Sequence, residues 1–282
     1  MKPATISVLN RRFTMKPEML SCRWQTMLKI KKRHEGVKGL DVEKLLAGLT
    51  LPSQFQHHDV SLTFDIIASL NAQTDDSVEA SIEKYRLEGP EVEEHEISAE
   101  DNAYYYMEYY QGLDSSSVDL DDMFTSYYPS VIRRSVFLTL YAMLEHDYEK
   151  LCNGFAKRHE ESVKLSDLKH SGFERCDLYA KKVIGMPTSP HYAMVKKVTK
   201  LRNACAHNDA RFVENDDRPI SELEDLMRTF PDLLVKDGKQ INFKAGSLQA
   251  MTSILKKYFN DVEEALKVKA HQLPNPFYKF RE

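Results

Sequence analysis

The sequence predicts a mainly α-helical protein. Three segments, beginning near Pro129, Ser189 and Ser247, place apolar residues three and four positions apart, which is the spacing of one buried helix face. The clearest strand-like pattern is a short pair of apolar segments within residues 233–243. We therefore expect an all-α helical bundle over residues 98–270, preceded by an additional N-terminal region and carrying one small hairpin.

Residues 1–97 give weaker signals, and their fold is left open. The first fifty residues lean basic, and the run at residues 29–34 could contact RNA phosphates or an acidic partner, or could be a solvated face. Residues 71–101 are strongly acidic and are interrupted by Gly89-Pro90. We predict that this stretch is an exposed acidic linker. Mimicry of nucleic acid, covering a basic cleft, is the functional alternative.

The helical domain is predicted to begin at Ser98, where acidic residues follow in the first turn of a helix. Five tyrosines lie between residues 104 and 110, and they are expected in a helix interface or stacked on unpaired bases. The longest helix is predicted over residues 129–158. Its apolar residues cover most of its circumference, which is typical of a central, buried helix. Glu145 lies among them, and a buried carboxylate needs a partner.

The next helix is predicted to start at residues 188–190, with a hydroxyl residue for the N-cap and proline at the first helical position. One apolar face follows, formed by Met194, Val198, Leu201 and Cys205. Three lysines lie on other faces and are expected in solvent: Lys196, Lys197 and Lys200. The helix is expected to end near Asn208-Asp209, because these residue types tolerate turn geometry.

The C-terminal part of the chain predicts a turn and a last helix. Asp237-Gly238 is a turn signal between two apolar segments, and we expect the resulting hairpin to be an appendage. Ser247 is the predicted cap of a helix with a regular apolar stripe. Residues 271–282 contain two prolines and several basic residues, and they are expected to form an extended tail.

Composition bounds the class of protein. The chain has 282 residues, of which 42% are hydrophobic and 29% charged, as in an ordinary soluble protein. The net charge of −4 argues against a generally basic nucleic-acid coat protein but allows a local basic cleft. The sequence has no apolar run of membrane-spanning length and no signal-peptide core. Its four cysteines are widely spaced, as free thiols would be. We expect a cytoplasmic protein.

Several kinds of site lack support in the sequence. His57-His58 is followed by no further ligand at metal-binding spacing, so no metal site is predicted. The motifs of phosphate-binding loops, dinucleotide-binding folds, serine hydrolases and zinc proteases are missing. The prediction is therefore a protein without a cofactor.

Arg202, Asn203 and His207 bring a cation, an amide and an imidazole within six residues. A guanidinium matches a phosphate bidentately, and histidine can move a proton near neutral pH. These groups suffice to cleave RNA without metal, by attack of the 2′-hydroxyl on the adjacent phosphate. Asn203 and His207 share a helix face, but Arg202 and His207 lie about 140° apart on an ideal helix. Two copies across a two-fold axis would make a better site.

Ordinary roles for these residues remain open as well. Arg202 could pair with an acidic neighbour, and His207 could stabilise the C-terminus of its helix.

The segment from Arg202 to His207 resembles the motif of the HEPN superfamily, in which arginine is followed by a polar residue, three further residues and histidine. The resemblance covers roughly residues 100–270 and includes the order of a long apolar helix, the motif helix and a final amphipathic helix. It implies an all-α domain that acts as a homodimeric, metal-independent endoribonuclease with a composite site. It also implies a toxin or phage-defence context, with a possible antitoxin or regulatory partner.

On this hypothesis His207 transfers a proton at the 2′-hydroxyl, Arg202 stabilises the phosphorane-like transition state and Asn203 positions one or both. The resemblance also implies a polar residue on the central helix that faces the motif, and Glu145 is the candidate to orient Arg202 or His207. An ordinary surface ion pair is the alternative for Glu145. Two further polar residues are weaker supporting candidates: Asn208 and Arg211. The competing hypothesis for the whole chain is a non-catalytic, helical RNA- or protein-binding dimerisation module.

Overall fold

The computed structural model describes residues 60–98 and 100–272, and the fold in these residues is mainly α-helical. The predictions for the basic run at residues 29–34, for the rest of residues 1–59 and for residues 273–282 lie outside them. The helices are α1 (Val60–Glu88), α2 (Leu120–Asp122), α3 (Tyr128–Arg158), α4 (Gly172–Tyr179), α5 (Tyr192–His207), α6 (Ser221–Thr229) and α7 (Ser247–Gln272). The strands are β1 (Glu91–Ser98), β2 (Ala103–Tyr110), β3 (Leu113–Asp114), β4 (Leu234–Asp237) and β5 (Gln240–Phe243).

Helix α3 is the central packing element, as predicted. It contacts α1, α4, α5, α7 and β5. Its inner faces carry fully buried side chains, among them Phe137, Leu140, Leu144 and Tyr148. These pack with apolar residues of the surrounding helices in one continuous core. Helix α3 therefore supports the elements around it, including the motif helix α5.

The acidic segment is not a linker, which corrects the prediction for residues 71–101. Its first part is the second half of α1, which buries Val78 and Ile82, and its later part is strand β1. The apolar stripe of α1 is interrupted by Asn71 and Thr74, which are polar but buried. Asn71 donates to the hydroxyl of Thr252 on α7 at 3.0 Å. The helical domain therefore includes α1 and begins well before residue 98.

Two acidic residues of α1 have a structural role. The guanidinium of Arg133 on α3 is 2% exposed, and it pairs with Asp75 at 2.7 Å and with Glu79 at 2.9 Å. Asp75 also accepts a hydrogen bond from the backbone N–H of Gly246, just before α7. A buried cation requires such partners, so part of the acidic charge of this stretch serves the core.

The helix predicted at Ser98 is also wrong, because the tyrosine-rich segment is strand β2. It pairs antiparallel with β1, with Glu91 opposite Tyr109 and Glu96 opposite Tyr104. Aromatic residues favour strands, and this preference prevails over the acidic first turn that suggested a helix. The sheet is attached at its base by a cluster of buried side chains: Tyr85, Tyr110, Leu120 and Phe124.

The hairpin predicted near residues 233–243 is confirmed as the antiparallel pair β4–β5. It is not an appendage, however. Leu234, Ile241 and Phe243 are buried in the main core, and the backbone N–H of Phe243 donates to the hydroxyl of Ser130 on α3. Helix α7 begins at Ser247, but the buried hydroxyl of Ser247 has no hydrogen-bond partner among the described residues, so it does not cap the helix as predicted.

Cys152, Cys176 and Cys205 are free cysteines. Among the described helices, none combines the length and the apolar character needed to cross a lipid bilayer.

Candidate functional site

Helix α5 carries the motif and packs one face against the core. That face consists of Val195, Val198, Leu201 and Ala204, all buried. Cys205 borders it, and burial raises the pKa of its thiol to about 12. The thiol therefore stays protonated at neutral pH, which excludes a nucleophilic thiolate and favours the predicted packing role.

The opposite face of α5 is a continuous polar stripe. Its members are exposed and follow one another at spacings of three and four: Ala193, Lys196, Lys200, Asn203 and His207. Within the described residues, neither Lys196 nor Lys200 makes an ion pair. Lys196 and Lys200 are exposed as expected, whereas Lys197 is half-buried and pairs with Asp225 at 3.2 Å. Sequence reasoning did not place Lys196 and Lys200 on the face of Asn203 and His207. The helical spacing was the signal that could have found them.

Arg202 lies at the edge of this stripe, where α5 meets α3. Its Nη2 donates to Glu145 Oε2 at 2.9 Å, and its Nη1 donates to Asn203 Oδ1 at 2.9 Å. The guanidinium carbon lies 5.2 Å from the ring centroid of Tyr141 on α3. The structure thus brings together Arg202, Asn203 and Glu145, and Glu145 contacts the arginine rather than the histidine.

Glu145 is itself held by α4. Its Oε1 accepts a hydrogen bond from the backbone N–H of Phe173 at 3.1 Å. Gly172 has a φ of +54°, and a Cβ atom there would lie 1.8 Å from Glu145 Oε1. A glycine is therefore needed for the carboxylate to reach both α4 and Arg202.

His207 is the last residue of α5 and is exposed. No hydrogen bond or ion pair joins its ring to another residue in the described part of the chain, and so none joins it to Arg202. Neither side chain is buried in the core. Each is therefore accessible to a substrate, but one chain alone does not form an arginine–histidine pair.

The turn after His207 is held by a buried arginine that sequence reasoning missed. Asp209 and Ala210 both have positive φ, at 48° and 57°. Arg134 on α3 donates to the backbone oxygen of Asp209 at 2.9 Å and to its Oδ1 at 2.8 Å. Gln240 donates to the other carboxylate oxygen of Asp209. Arg134 lies within the apolar pattern of α3, and a buried cation needs a partner, so its position in the sequence could have indicated a structural contact.

The two weaker candidates lie outside this network. Asn208 is exposed at the C-cap of α5, where its backbone N–H donates to the backbone oxygen of Ala204. Arg211 lies 3.5 Å from Asp217 in an ion pair. Neither contacts Arg202 or Glu145 through a hydrogen bond in the described residues.

Asn203 and His207 are exposed at the surface of the domain, and Arg202 is half-buried beside them. A polar cleft of about 520 Å³ begins beside the motif, lined by Lys200, by the loop around Glu214 and Arg218, and by the start of α6. Among the described residues, no three His, Cys, Asp or Glu side chains converge as a metal site would require.

A comparison of the chain with protein-family models gives no match, and comparisons with curated proteins and with solved structures likewise give none.

Proposed function

We propose that this protein is a metal-independent endoribonuclease of the HEPN type that acts as a homodimer. The observation that carries the proposal is the exposed end of α5, where Asn203 and His207 share one face and Arg202 lies at its edge in contact with Glu145. A cation and a proton-transfer group, both accessible, are what 2′-hydroxyl attack on a phosphate requires.

In the proposed reaction the ribose 2′-oxygen attacks the adjacent phosphorus and the bond to the 5′-oxygen of the next nucleotide breaks. His207 takes part in the accompanying proton transfer. Arg202 stabilises the charge of the phosphorane-like transition state, because its planar fork matches phosphate oxygens. Glu145 and Asn203 orient that fork. The products are a 2′,3′-cyclic phosphate and a 5′-hydroxyl.

The separation of Arg202 and His207 supports a composite site between two copies. A second observation supports the same conclusion. Helix α3 carries an exposed stripe without charged residues: Tyr128, Ile132, Ser135, Thr139 and Ala142. Solvent-facing helix surfaces usually carry charge. Glu145 follows this stripe by about one helical turn, so a second copy that covers the stripe would lie next to Arg202.

The decisive experiment is cleavage of total cellular RNA by purified protein in excess EDTA. Wild type is compared with Arg202→Ala and His207→Ala, and with the exposed control changes Arg228→Ala and His271→Ala. We expect wild type and controls to cut and to leave cyclic-phosphate ends, and both motif variants to be inert. Equal cutting by all five proteins would place the activity elsewhere or identify a contaminant.

A non-catalytic RNA- or protein-binding dimerisation module is the second candidate. It is favoured by the engagement of Arg202 with Glu145, which joins α3, α4 and α5 and is itself a structural role. RNA binding by wild type without cleavage, under conditions in which the dimer is intact, would support this candidate. The toxin or phage-defence context, an antitoxin or regulatory partner and a cytoplasmic location belong to the same proposal.

A further inference from the structure

One side of the β1–β2 hairpin is exposed along its whole length. We call it the Glu–Tyr face, and its residues are Val92, Glu94, Glu96, Tyr104, Tyr106 and Glu108. Glu94 lies opposite Tyr106 and Glu96 opposite Tyr104, so carboxylates and rings stand side by side. The other side of the hairpin packs partly on itself, with His95 stacked on Tyr105 at a centroid distance of 5.0 Å.

The exposure of the tyrosines is unusual for large rings. Tyr106 is 68% exposed and Tyr104 is 42% exposed. Tyrosine is enriched in the cores of protein interfaces, and exposed apolar patches mark interaction sites. Among the described residues, the buried side chains that attach the hairpin to the domain lie at its base, where Tyr110 packs on Tyr85 and Phe124. The side chains of the Glu–Tyr face are exposed, so a partner bound there would bury them and stabilise the hairpin.

The charge of this region identifies the kind of partner. Residues 87–132 contain twelve acidic residues and neither lysine nor arginine. Because the whole chain carries −4, the residues outside this stretch carry a net +8. Within the described residues, Glu94, Glu96 and Glu108 make no ion pair with lysine or arginine. Their uncompensated field repels RNA and anionic membranes and attracts cations.

The arrangement suits an extended cation rather than a metal ion. In the described part of the chain no acidic or histidine cluster has the convergence that a metal site needs. Within the described residues, strand β1 pairs with β2 alone, so its outer edge is available there to a further strand. Added strands take their affinity from main-chain hydrogen bonds and their specificity from alternate side chains. A second β1 edge is disfavoured there, because two acidic edges repel each other.

We propose that the Glu–Tyr face and the outer edge of β1 bind a lysine- and arginine-rich segment of another protein in an extended conformation. Cationic side chains of the segment stack on Tyr104 and Tyr106 and pair with Glu94 and Glu96. This interaction is independent of RNA cleavage.

The test uses fluorescence anisotropy of a labelled twelve-residue peptide in which arginine alternates with threonine, so that the cations share one side of a strand. Its counterpart has glutamate in place of arginine. The full-length protein is expected to bind only the basic peptide, and more weakly as salt is added. Tyr104→Ser/Tyr106→Ser and Glu94→Gln/Glu96→Gln are each expected to weaken binding about tenfold.

The matched control is Asp76→Asn/Glu83→Gln, which neutralises two exposed acids of α1. It is expected to leave the affinity within about twofold of wild type. Circular dichroism confirms that each variant is folded. Equal weakening by the control, or unchanged binding by the tyrosine variant, would overturn the proposal. A salt-sensitive self-association in sedimentation that is lost in Glu94→Gln/Glu96→Gln would assign the face to a second copy instead and would equally overturn it.

Discussion

The outer face of α5 and the Glu–Tyr face of the β1–β2 hairpin are two exposed surfaces with opposite chemistry. The first presents Lys196, Lys200, Asn203 and His207 without an acidic side chain in the stripe. The second presents three carboxylates and two tyrosines, and the surrounding residues 87–132 contain neither lysine nor arginine. One surface therefore suits a phosphate chain and the other repels it. The near-neutral total charge conceals this separation.

The two surfaces also differ in the buried contacts that hold them to the domain. Helix α5 buries four side chains, and buried or half-buried groups of α3 hold Arg202 and the turn after His207. Among the described residues, the hairpin is held by the small buried cluster at its base and by a hydrogen bond from Tyr110 to Glu88. Catalytic groups need fixed geometry, whereas a docking strand can order its partner on binding. Both surfaces are exposed, but only the α5 face is supported by extensive buried contacts, and this support distinguishes the candidate catalytic surface.

The largest expected effect is on the α5 face. His207→Gln should lower the rate of RNA cleavage by about a thousandfold, because proton transfer is lost. It should change the free energy of unfolding by less than about 0.5 kcal/mol, since the ring is exposed. Cleavage of a fluorogenic RNA and urea unfolding measure the two quantities. A strongly destabilised variant would show instead that His207 has a structural role.

A second change tests the support beneath Arg202. Gly172→Ala should destabilise the protein by about 2–3 kcal/mol, because a Cβ atom displaces Glu145 and the backbone is left-handed there. Cleavage should fall with it. Gly238→Ala is the control, since its φ is +53° but no atom lies within 4 Å of the added Cβ. Gly238→Ala should lower the free energy of unfolding by only about 1 kcal/mol and leave RNA cleavage unchanged. Equal effects of both changes in urea unfolding and in cleavage would show that the Glu145 contact is unimportant.

A third change addresses the lysines of the α5 face. In a His207→Ala background, Lys196→Glu/Lys200→Glu should weaken binding of a single-stranded RNA about tenfold. It should also reduce the slope of log affinity against log salt by at least about 1.4, since two phosphate contacts are lost. Lys256→Glu/Lys257→Glu on α7 is the control of equal charge, as both are exposed. If it weakened binding as much, net charge rather than a defined track would explain the affinity.

The smallest effect is expected at the hairpin. Tyr104→Ser/Tyr106→Ser should leave both RNA cleavage and the free energy of unfolding within about 0.5 kcal/mol of wild type, because both rings face solvent. Kinetics and urea unfolding on the same preparations provide the check. A large loss of cleavage in this variant would mean that the two surfaces act together on RNA and would break the comparison.

The elements that could be predicted are those with a long, regular pattern of their own. α3, α5, α7 and the β4–β5 hairpin are recognisable from local spacing and turn residues. α1 escaped prediction because Asn71 and Thr74 interrupt its apolar stripe, and Thr252, to which the Asn71 amide donates, lies far away in the chain on α7. In the same way, Asp75 and Glu79 suggest a solvated linker in the sequence, whereas in the structure both pair with the buried Arg133.

Some residues of the candidate site could likewise be predicted from the sequence, and others could not. Arg202, Asn203 and His207 are visible as a motif, and the burial of a carboxylate among apolar residues pointed to Glu145. Arg134 and Asp209 were not found, because their contact joins residues far apart in the chain across a turn with positive φ. Sequence spacing carries no information about such a pair.

The mainly helical class, the central helix and the motif from Arg202 to His207 are visible in the sequence, because local periodicity and residue type suffice for these. Long-range contacts were needed to show that the acidic stretch is a core helix and a strand, and that Glu145 contacts Arg202 rather than His207. The physical reason is that buried polar groups and backbone edges find their partners in space, and those partners lie tens of residues away along the chain.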